Sequence, residues 1–148
     1  MDVQVTSLTD LMVIEHARIQ EMLEEVNISS YEDKMRALEC FNRFKLNIEK
    51  HFMIEERAIV QLLNNISGIE VNDTFRLMEE QGGIISMIKK VEDDIAQGDY
   101  SKIQDLMTML EDHSEFENQT FYPNLDKKLS DDRKKEIIEK VSAMIRSG

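Results

Sequence analysis

The chain has very little of the residues that break or cross-link a fold. Its 148 residues include one proline, five glycines, one cysteine and no tryptophan. The lone Cys40 cannot form an intramolecular disulfide, which is typical of a protein in the reducing cytoplasm. Leu, Ile, Met, Glu and Lys dominate the composition, and these residues favour helices over strands. We therefore expect a cytoplasmic, helical protein that is held together by packing.

Long apolar runs and a positive charge balance are also missing. No stretch reaches the roughly eighteen apolar residues that a membrane span requires. The first seven residues have neither the basic start nor the apolar core of a signal peptide. Thirty acidic against eighteen basic residues give a net charge of −12, which repels phosphate backbones and anionic lipids. The sequence predicts neither a nucleic acid nor a membrane as a partner.

Apolar residues recur with the period of a helix along nearly the whole chain. The pattern predicts helices over about 7–26, 30–64, 72–98, 101–122 and 131–146. Ser7 is the expected N-cap of the first helix, and Ser30 with Asp33 is expected to begin the second. A turn is expected over 27–30, and Pro123 should end or reset the fourth helix. The short connections favour a single all-α domain spanning 1–148. Its core, about 7–122, would be an up-down-up-down four-helix bundle, with the shorter fifth helix packed across the outside.

Two of the predicted helices carry a histidine and a glutamate where apolar side chains are expected. His51 and Glu55 lie inside the apolar stripe of the second helix, and His113 and Glu117 inside that of the fourth. Each pair is spaced i, i+4, so its members lie one above the other on a single face. An imidazole and a carboxylate in a bundle core are unfavourable unless something pairs with them.

The other two bundle helices bring polar residues to the same level. His16 lies at the edge of the first stripe with Glu15 nearer its centre, and Gln81 lies near the middle of the third. At 1.5 Å per residue along antiparallel helices, His16, Gln81 and the two His–Glu pairs fall within about two helical turns of each other. Each could singly be a hydrogen-bonded core residue or half of an ion pair. Their common level instead indicates a metal site.

The donor types restrict the metal. Imidazole and carboxylate suit iron, manganese or zinc, and carboxylates can bridge two ions. A structural zinc site would favour thiolates and a closed tetrahedron. We therefore predict a non-haem iron centre of one or two ions. Its candidate ligands are the three histidines and two glutamates that lie on inner faces, namely His16, His51, His113, Glu55 and Glu117, with the glutamates as candidate bridges.

The same residues make the chain resemble the hemerythrin-like, or HHE cation-binding, domain family. The resemblance covers about residues 8–145. Its motifs are residues 14–19 (IEHARI), 51–56 (HFMIEE) and 113–117 (HSEFE), the last leading to 121–123 (FYP). It implies a four-helix bundle with a carboxylate-bridged di-iron centre that binds dioxygen or related small ligands. In that reading the three histidines are ligands, and Glu55 and Glu117 are bridges.

The third helix departs from the family pattern, which places one or two histidines there. The matching segment, residues 79–83, reads EEQGG. Gln81 offers only a neutral amide oxygen, which is a weaker ligand than imidazole. Glu80, about 100° around the helix, and Glu15 on the first helix are alternative ligands. A centre poorer in nitrogen argues against reversible oxygen carriage, and one of two ions could be weakly held or absent.

Three functions therefore remain open. The first is a small iron protein, not an enzyme, that binds or senses oxygen, nitric oxide or iron. The second is an enzyme whose centre reacts with oxygen or peroxide, although Tyr31, Tyr100 and Tyr122 are all expected near helix ends. The third is a metal-depleted bundle whose fifth helix acts in protein association, and a homodimer is compatible with the sequence.

Overall fold

A computed structural model describes residues 6–63 and 71–147, which form five helical rods without a strand. The regular rods are α1, Leu8–Ser29; α3, Val71–Ala96; and α5, Asp131–Arg146. The second rod, α2, runs as an α-helix over Lys34–Ile54, a π-helix over Glu55–Val60 and an α-helix over Gln61–Leu63. The fourth rod, α4, runs as an α-helix over Ile103–Phe116, a π-helix over Glu117–Phe121 and an α-helix over Tyr122–Lys128. The all-α fold with a shorter fifth helix is confirmed.

Side-chain caps fix where three helices begin. The Ser7 hydroxyl accepts the Asp10 backbone N–H, and the Asp33 carboxylate accepts that of Arg36. Ser130 caps α5 in the same way. Each cap satisfies a backbone donor that has no partner within its helix. The predicted Ser7 cap and the predicted start of α5 are thus confirmed, whereas the second helix begins after Asp33 and not at Ser30.

Two predicted helix ends are wrong. The turn expected over 27–30 lies instead at residues 30–32, since α1 continues to Ser29, whose hydroxyl donates to the Glu25 carbonyl at 2.7 Å. Nor does Pro123 end α4, which continues to Lys128. Pro123 lies in the first turn after the π segment, a position that tolerates a residue without an N–H. The predicted end of the second helix, over 64–68, lies outside the described residues.

Two apolar clusters fill the bundle. One, which we call the far-end cluster, contains residues from the C-terminal half of α1 and the N-terminal half of α2, such as Ile19 and Phe44. The other, the α5 cluster, includes Leu8, Tyr122 and the buried α5 residue Val141. The predicted polar residues occur along each helix between the parts that supply these two clusters. The polar layer therefore has apolar packing on both sides.

The fifth helix lies against the bundle and hides much of its apolar face. Ile137 and Val141 are buried, and α5 contacts α1, α2 and the π segment of α2. Lys50 of α2 donates its Nζ to the carbonyl of Ile145 at 3.0 Å, near the end of α5. None of the described helices is long and apolar enough to span a bilayer.

Candidate metal centre

Both glutamates of the predicted site begin a π-helical segment. Glu55 is the first residue of the π segment in α2, and Glu117 is the first of that in α4. A π turn carries one residue more than an α turn, so it changes which residues face the core beyond it. The side chains of both glutamates are fully buried.

Four predicted site residues converge on one point between three helices. His16, His51, Glu55 and Glu117 each offer a donor atom, and these atoms all lie within 4.8 Å of one another. The Nε2 atom of His16 is 3.2 Å from Nε2 of His51 and 3.3 Å from Oε2 of Glu117. Nε2 of His51 is 3.0 Å from Oε1 of Glu55. Such spacings are those of neighbouring ligands around an ion with bonds of about 2.1 Å.

His113 adds a fifth donor beside this group. Its Nε2 atom lies 2.5 Å from Oε1 of Glu117, but the contact lacks the geometry of a hydrogen bond. As a result, His113 Nε2 and both carboxylate oxygens of Glu117 are buried without a hydrogen-bond partner. Buried polar atoms are almost always paired, so three such atoms in one place fit a cation as the missing partner.

Oxygen atoms on the outer side hold two of the histidine rings. Nδ1 of His16 is 2.8 Å from Oδ1 of Asn118, and Nδ1 of His113 is 2.8 Å from Oε1 of Glu80. With Nδ1 as the donor of each bond, the Nε2 lone pair points into the bundle, where a metal would accept it. Glu80 therefore lies outside the centre, as a partner of His113.

Comparison with known proteins identifies the family of this chain. The family model described as the hemerythrin HHE cation binding domain matches residues 7–125 of this chain. The chain belongs to this family. No curated protein and no solved structure matches it. Family membership and the buried His/Glu cluster together make this hemerythrin-family chain a metal-binding helical protein.

In this hemerythrin-family chain, α3 contributes a hydrogen-bond donor to the centre. Gln81 is 4% exposed, and its Nε2 donates to Oε1 of Glu55 at 3.1 Å. The phenol of Tyr122 donates to the other oxygen, Oε2, at 2.5 Å. Both oxygens of Glu55 thus have neutral donors, whereas those of Glu117 have none. The two glutamates, equivalent in the sequence, have different surroundings.

Glu15 is buried but lies outside the four-residue group. Its Oε1 accepts from Nε of Arg18 at 3.2 Å, and its Oε2 accepts from Nη2 of Arg18 at 3.0 Å. Arg18 also donates to Oδ1 of Asn47 on α2 at 3.0 Å. Both carboxylate oxygens of Glu15 are therefore committed to an ion pair within α1, and Arg18 links this pair to α2 through Asn47.

Two residues of the site were not predicted from the sequence. Asn118, which holds His16, is a half-buried polar residue without a distinctive pattern. Tyr122 was expected near a helix end, yet it is fully buried on Glu55. A signal for Tyr122 exists, because regular spacing after Glu117 would bury polar Asn124 and Lys128, whereas Leu125 and Leu129 are the apolar residues. This offset by one residue indicates the π turn.

Without a bound ion, the two histidines on α2 and α4 favour their charged forms. Burial opposes a charge on His51, but the adjacent Glu55 carboxylate outweighs it and raises the pKa of His51. Burial likewise opposes a charge on His113, but its contact with Glu117 raises the pKa of His113 to about 9. A metal must therefore displace protons when it binds.

The two glutamates divide the negative charge unequally. Burial, reinforced by the charge of Glu117, raises the pKa of Glu55. Burial also opposes the ionised form of Glu117, but polar contacts with Glu55, His113 and His16 hold the pKa of Glu117 well below its usual value. Two buried carboxylates so close together cannot both ionise freely. Glu117 therefore ionises more readily than Glu55 in the absence of a cation.

Proposed function

We propose that this chain is a cytoplasmic non-haem iron protein that binds a small ligand, oxygen or nitric oxide, as a sensor or handler. His16, His51, Glu55, His113 and Glu117 would hold one or two iron ions. The observation that carries the proposal is the set of three buried atoms, His113 Nε2 and both Glu117 oxygens, that have no hydrogen-bond partner. A cation satisfies all three at once.

The donor set favours iron over the other candidate metals. The cluster offers three imidazoles and two carboxylates, and it holds no thiolate because the only cysteine, Cys40, pairs with Ser29 in the far-end cluster. Nitrogen and carboxylate ligands suit non-haem iron, whereas a structural zinc would favour sulphur. Iron bound there supplies coordination positions for a small ligand and can change its oxidation state.

The residues around the centre bind and orient the ligands. Asn118 and Glu80 fix the rings of His16 and His113 through Nδ1, while Gln81 and Tyr122 hold Glu55. Each of these four side chains is already bonded to a proposed ligand. This arrangement supports ligand binding in preference to turnover.

One observation favours the enzyme as a second candidate. Tyr122 is fully buried with its phenol 2.5 Å from Oε2 of Glu55. It is not at a helix end, because α4 continues to Lys128. A phenol so close to a metal ligand is placed to exchange an electron and a proton with an oxidised centre. Peroxide consumption by the iron-loaded protein would support this alternative.

Metal content and ligand spectra test the proposal. The untagged protein is loaded with ferrous iron without oxygen, and iron per chain is measured for wild type, His51→Ala, His113→Ala and the control Glu15→Gln. We expect wild type and Glu15→Gln to hold iron, both histidine variants to lose it, and nitric oxide and azide to change the visible spectrum. Fewer than about 0.2 ions per wild-type chain would contradict the proposal, since three imidazoles and two carboxylates that the fold already holds together should bind a metal ion.

A further inference from the structure

A groove of about 440 Å³ lies open to solvent between α3 and α4. We call it the α3–α4 groove and define it by Gly83 and Met109 at its mouth and by Ile84 and His113 at its inner end. Ile84 is 1% exposed and His113 is 3% exposed, so the groove ends on core residues. At this inner end the protein surface comes close to His113, a proposed metal ligand.

His113 forms the wall between the groove and the centre. Its Nε2 faces Glu117 on the inner side, while its Nδ1 bonds Glu80, another residue that lines the groove. Glu80 in turn accepts from Nε of Arg76 at 2.9 Å, near the outer edge. A molecule at the inner end of the groove would therefore be one imidazole ring away from the centre.

Of the two helices that border this groove, α4 supplies the ligand His113, but α3 supplies no ionisable ligand. The clustered donors come from α1, α2 and α4. The residue that α3 turns to the centre, Gln81, directs its amide N–H at Glu55. A small ligand that approached from α3 would meet neither an imidazole nor a carboxylate of that helix. The groove therefore opens beside α3, the one bundle helix that gives the centre no ionisable ligand.

Gly83 keeps the mouth of the groove free of a side chain. Among the described residues only Gly98 has a positive φ, so the backbone does not require glycine at 82 or 83. A Cβ at Gly83 would meet only Cε of Met109, at 3.7 Å, and one at Gly82 would meet nothing within 4 Å. Glycine in a helix interior costs about 0.5–1 kcal/mol relative to alanine. The structural consequence of Gly83 is an open mouth.

The charges around the groove select the kind of molecule that passes. Three carboxylates, of Glu79, Glu80 and Asp112, line it against the one guanidinium of Arg76. This excess of negative charge disfavours small anions such as azide. Ile84 and Met109 add an apolar surface that accepts neutral molecules.

We infer that the α3–α4 groove is the path by which neutral diatomic molecules reach the metal centre, and that Gly83 keeps this path open. The inference rests on the proposed function for its purpose, but the groove is present whether or not iron is bound. Two experiments separate these questions, and both compare Gly83→Leu with Gly82→Leu. Each substitution removes a glycine from the interior of α3, and only the first enters the groove.

The first experiment needs no iron. Dissolved oxygen under pressure broadens the NMR signals of methyl groups that it can reach, measured in the purified protein free of paramagnetic metal. We expect the Ile84 methyls to broaden more than those of Ile95, which lies on the same helix and is as well buried. Gly83→Leu should remove the excess, and Gly82→Leu should preserve it. Equal broadening of Ile84 and Ile95 in wild type would overturn the inference.

The second experiment uses the iron-loaded protein. Nitric oxide binding is followed by stopped-flow absorbance, and azide binding is recorded for comparison. Gly83→Leu should slow nitric oxide association about tenfold with an unchanged final spectrum, and Gly82→Leu should stay within about twofold of wild type. Wild-type association rates in a Gly83→Leu protein of normal iron content would contradict the path. Absence of iron from wild type would instead contradict the proposed function, and the oxygen experiment would still decide the path.

Should leucine at 83 prevent folding, Gly83→Ala provides the milder test. Its methyl group fits beside Met109 at ordinary contact distance, so the helix is expected to form normally. It should reduce both the Ile84 broadening and the association rate in the same direction as leucine, by a smaller factor. Circular dichroism checks that the helical content is retained.

Discussion

The two helices that carry the His–Glu pairs differ from the two that complete the bundle. In α2 and α4 a π segment begins at the glutamate, whereas α1 and α3 are regular throughout. The regular helices bring His16 and Gln81 to the centre by their apolar period alone. The irregular ones bring a histidine and a glutamate, and then change register. The π segments thus occur in the two helices that each supply a histidine and a glutamate to the proposed site.

The change of register decides what packs beyond the site. After Glu117 a regular helix would bury Asn124 and Lys128, but the structure buries Tyr122, Leu125 and Leu129. In α2 the same shift buries Leu63 in place of Leu62, which is half-buried. Each π turn therefore joins two apolar stripes that are out of phase by one residue.

The largest effect is expected from restoring a regular helix in α4. Deletion of the exposed Gln119 removes the extra residue of the π turn and rotates Tyr122, Leu125 and Leu129 out of the α5 cluster. Each of these side chains contributes about 1.5–3 kcal/mol through burial. We expect the deletion to unfold the protein or lower its stability by several kcal/mol in urea denaturation. Gln119→Ala is the control and should be close to wild type, while a stable deletion variant that binds iron would refute the register argument.

The second prediction compares the loss of a ligand on the irregular helix α4 with the loss of a hydrogen-bond donor on the regular helix α3. Glu117→Ala removes the anionic carboxylate that faces two histidines, so we expect most of the bound iron to be lost. Gln81→Ala removes only a neutral donor to Glu55, which contributes about 0.5–1.5 kcal/mol to stability. Iron per chain, measured side by side, should fall for the first variant and stay near wild type for the second. Equal losses would show that α3 holds the metal as strongly as α4.

Much of this organisation could be predicted from the sequence. The apolar period located the five helices, and the caps at Ser7 and Ser130 located two of their starts. Six polar residues were expected at one level, and the structure brings each of them into direct contact with another member of that group. These features follow from helix geometry, which residue spacing encodes directly.

The remainder depended on features that spacing does not encode. The π segments escaped prediction because a constant turn of 100° per residue was assumed for every helix. The expectation that Pro123 would end the fourth helix placed Tyr122 at a helix end. The roles of Glu80 and Glu15 depended on side-chain direction. One reaches out to His113 and Arg76, and the other folds back onto Arg18.

The third effect is a pH dependence that differs with and without metal. The pKa of His113 is raised from 6.5 to about 9 in the folded protein without an ion. Protonated His113 therefore stabilises the folded protein by about 3 kcal/mol. This contribution is fully present below pH 6.5 and is lost as the pH rises through about 9. We expect the metal-free protein to become less stable over this range in urea denaturation.

Metal affinity should change in the opposite direction over the same range. Binding requires the proton to leave His113, so the affinity for zinc, used as a redox-inert probe, is expected to rise with pH. A competition titration with a chromophoric chelator at several pH values measures it. Metal-free stability that increased from pH 6.5 to 9 would contradict the assigned contact between His113 and Glu117.

The smallest effect concerns the residue that the π turn of α4 brings inward. Tyr122→Phe keeps the aromatic packing and removes the hydrogen bond to Glu55, which should cost about 1–3 kcal/mol in stability. Iron content should stay close to wild type because Tyr122 is not a proposed ligand. A variant as stable as wild type would show that the short contact between the phenol and Oε2 of Glu55 contributes nothing.

The central claim is that donors from α1, α2 and α4 hold iron between them. A crystal structure of the iron-loaded protein, with anomalous scattering recorded on both sides of the iron absorption edge, tests it most directly. The account predicts an iron peak within bonding distance of Nε2 of His16 and His51 and of carboxylate oxygens of Glu55 and Glu117. Iron found only at surface carboxylates, or no iron peak between these four side chains, would contradict it.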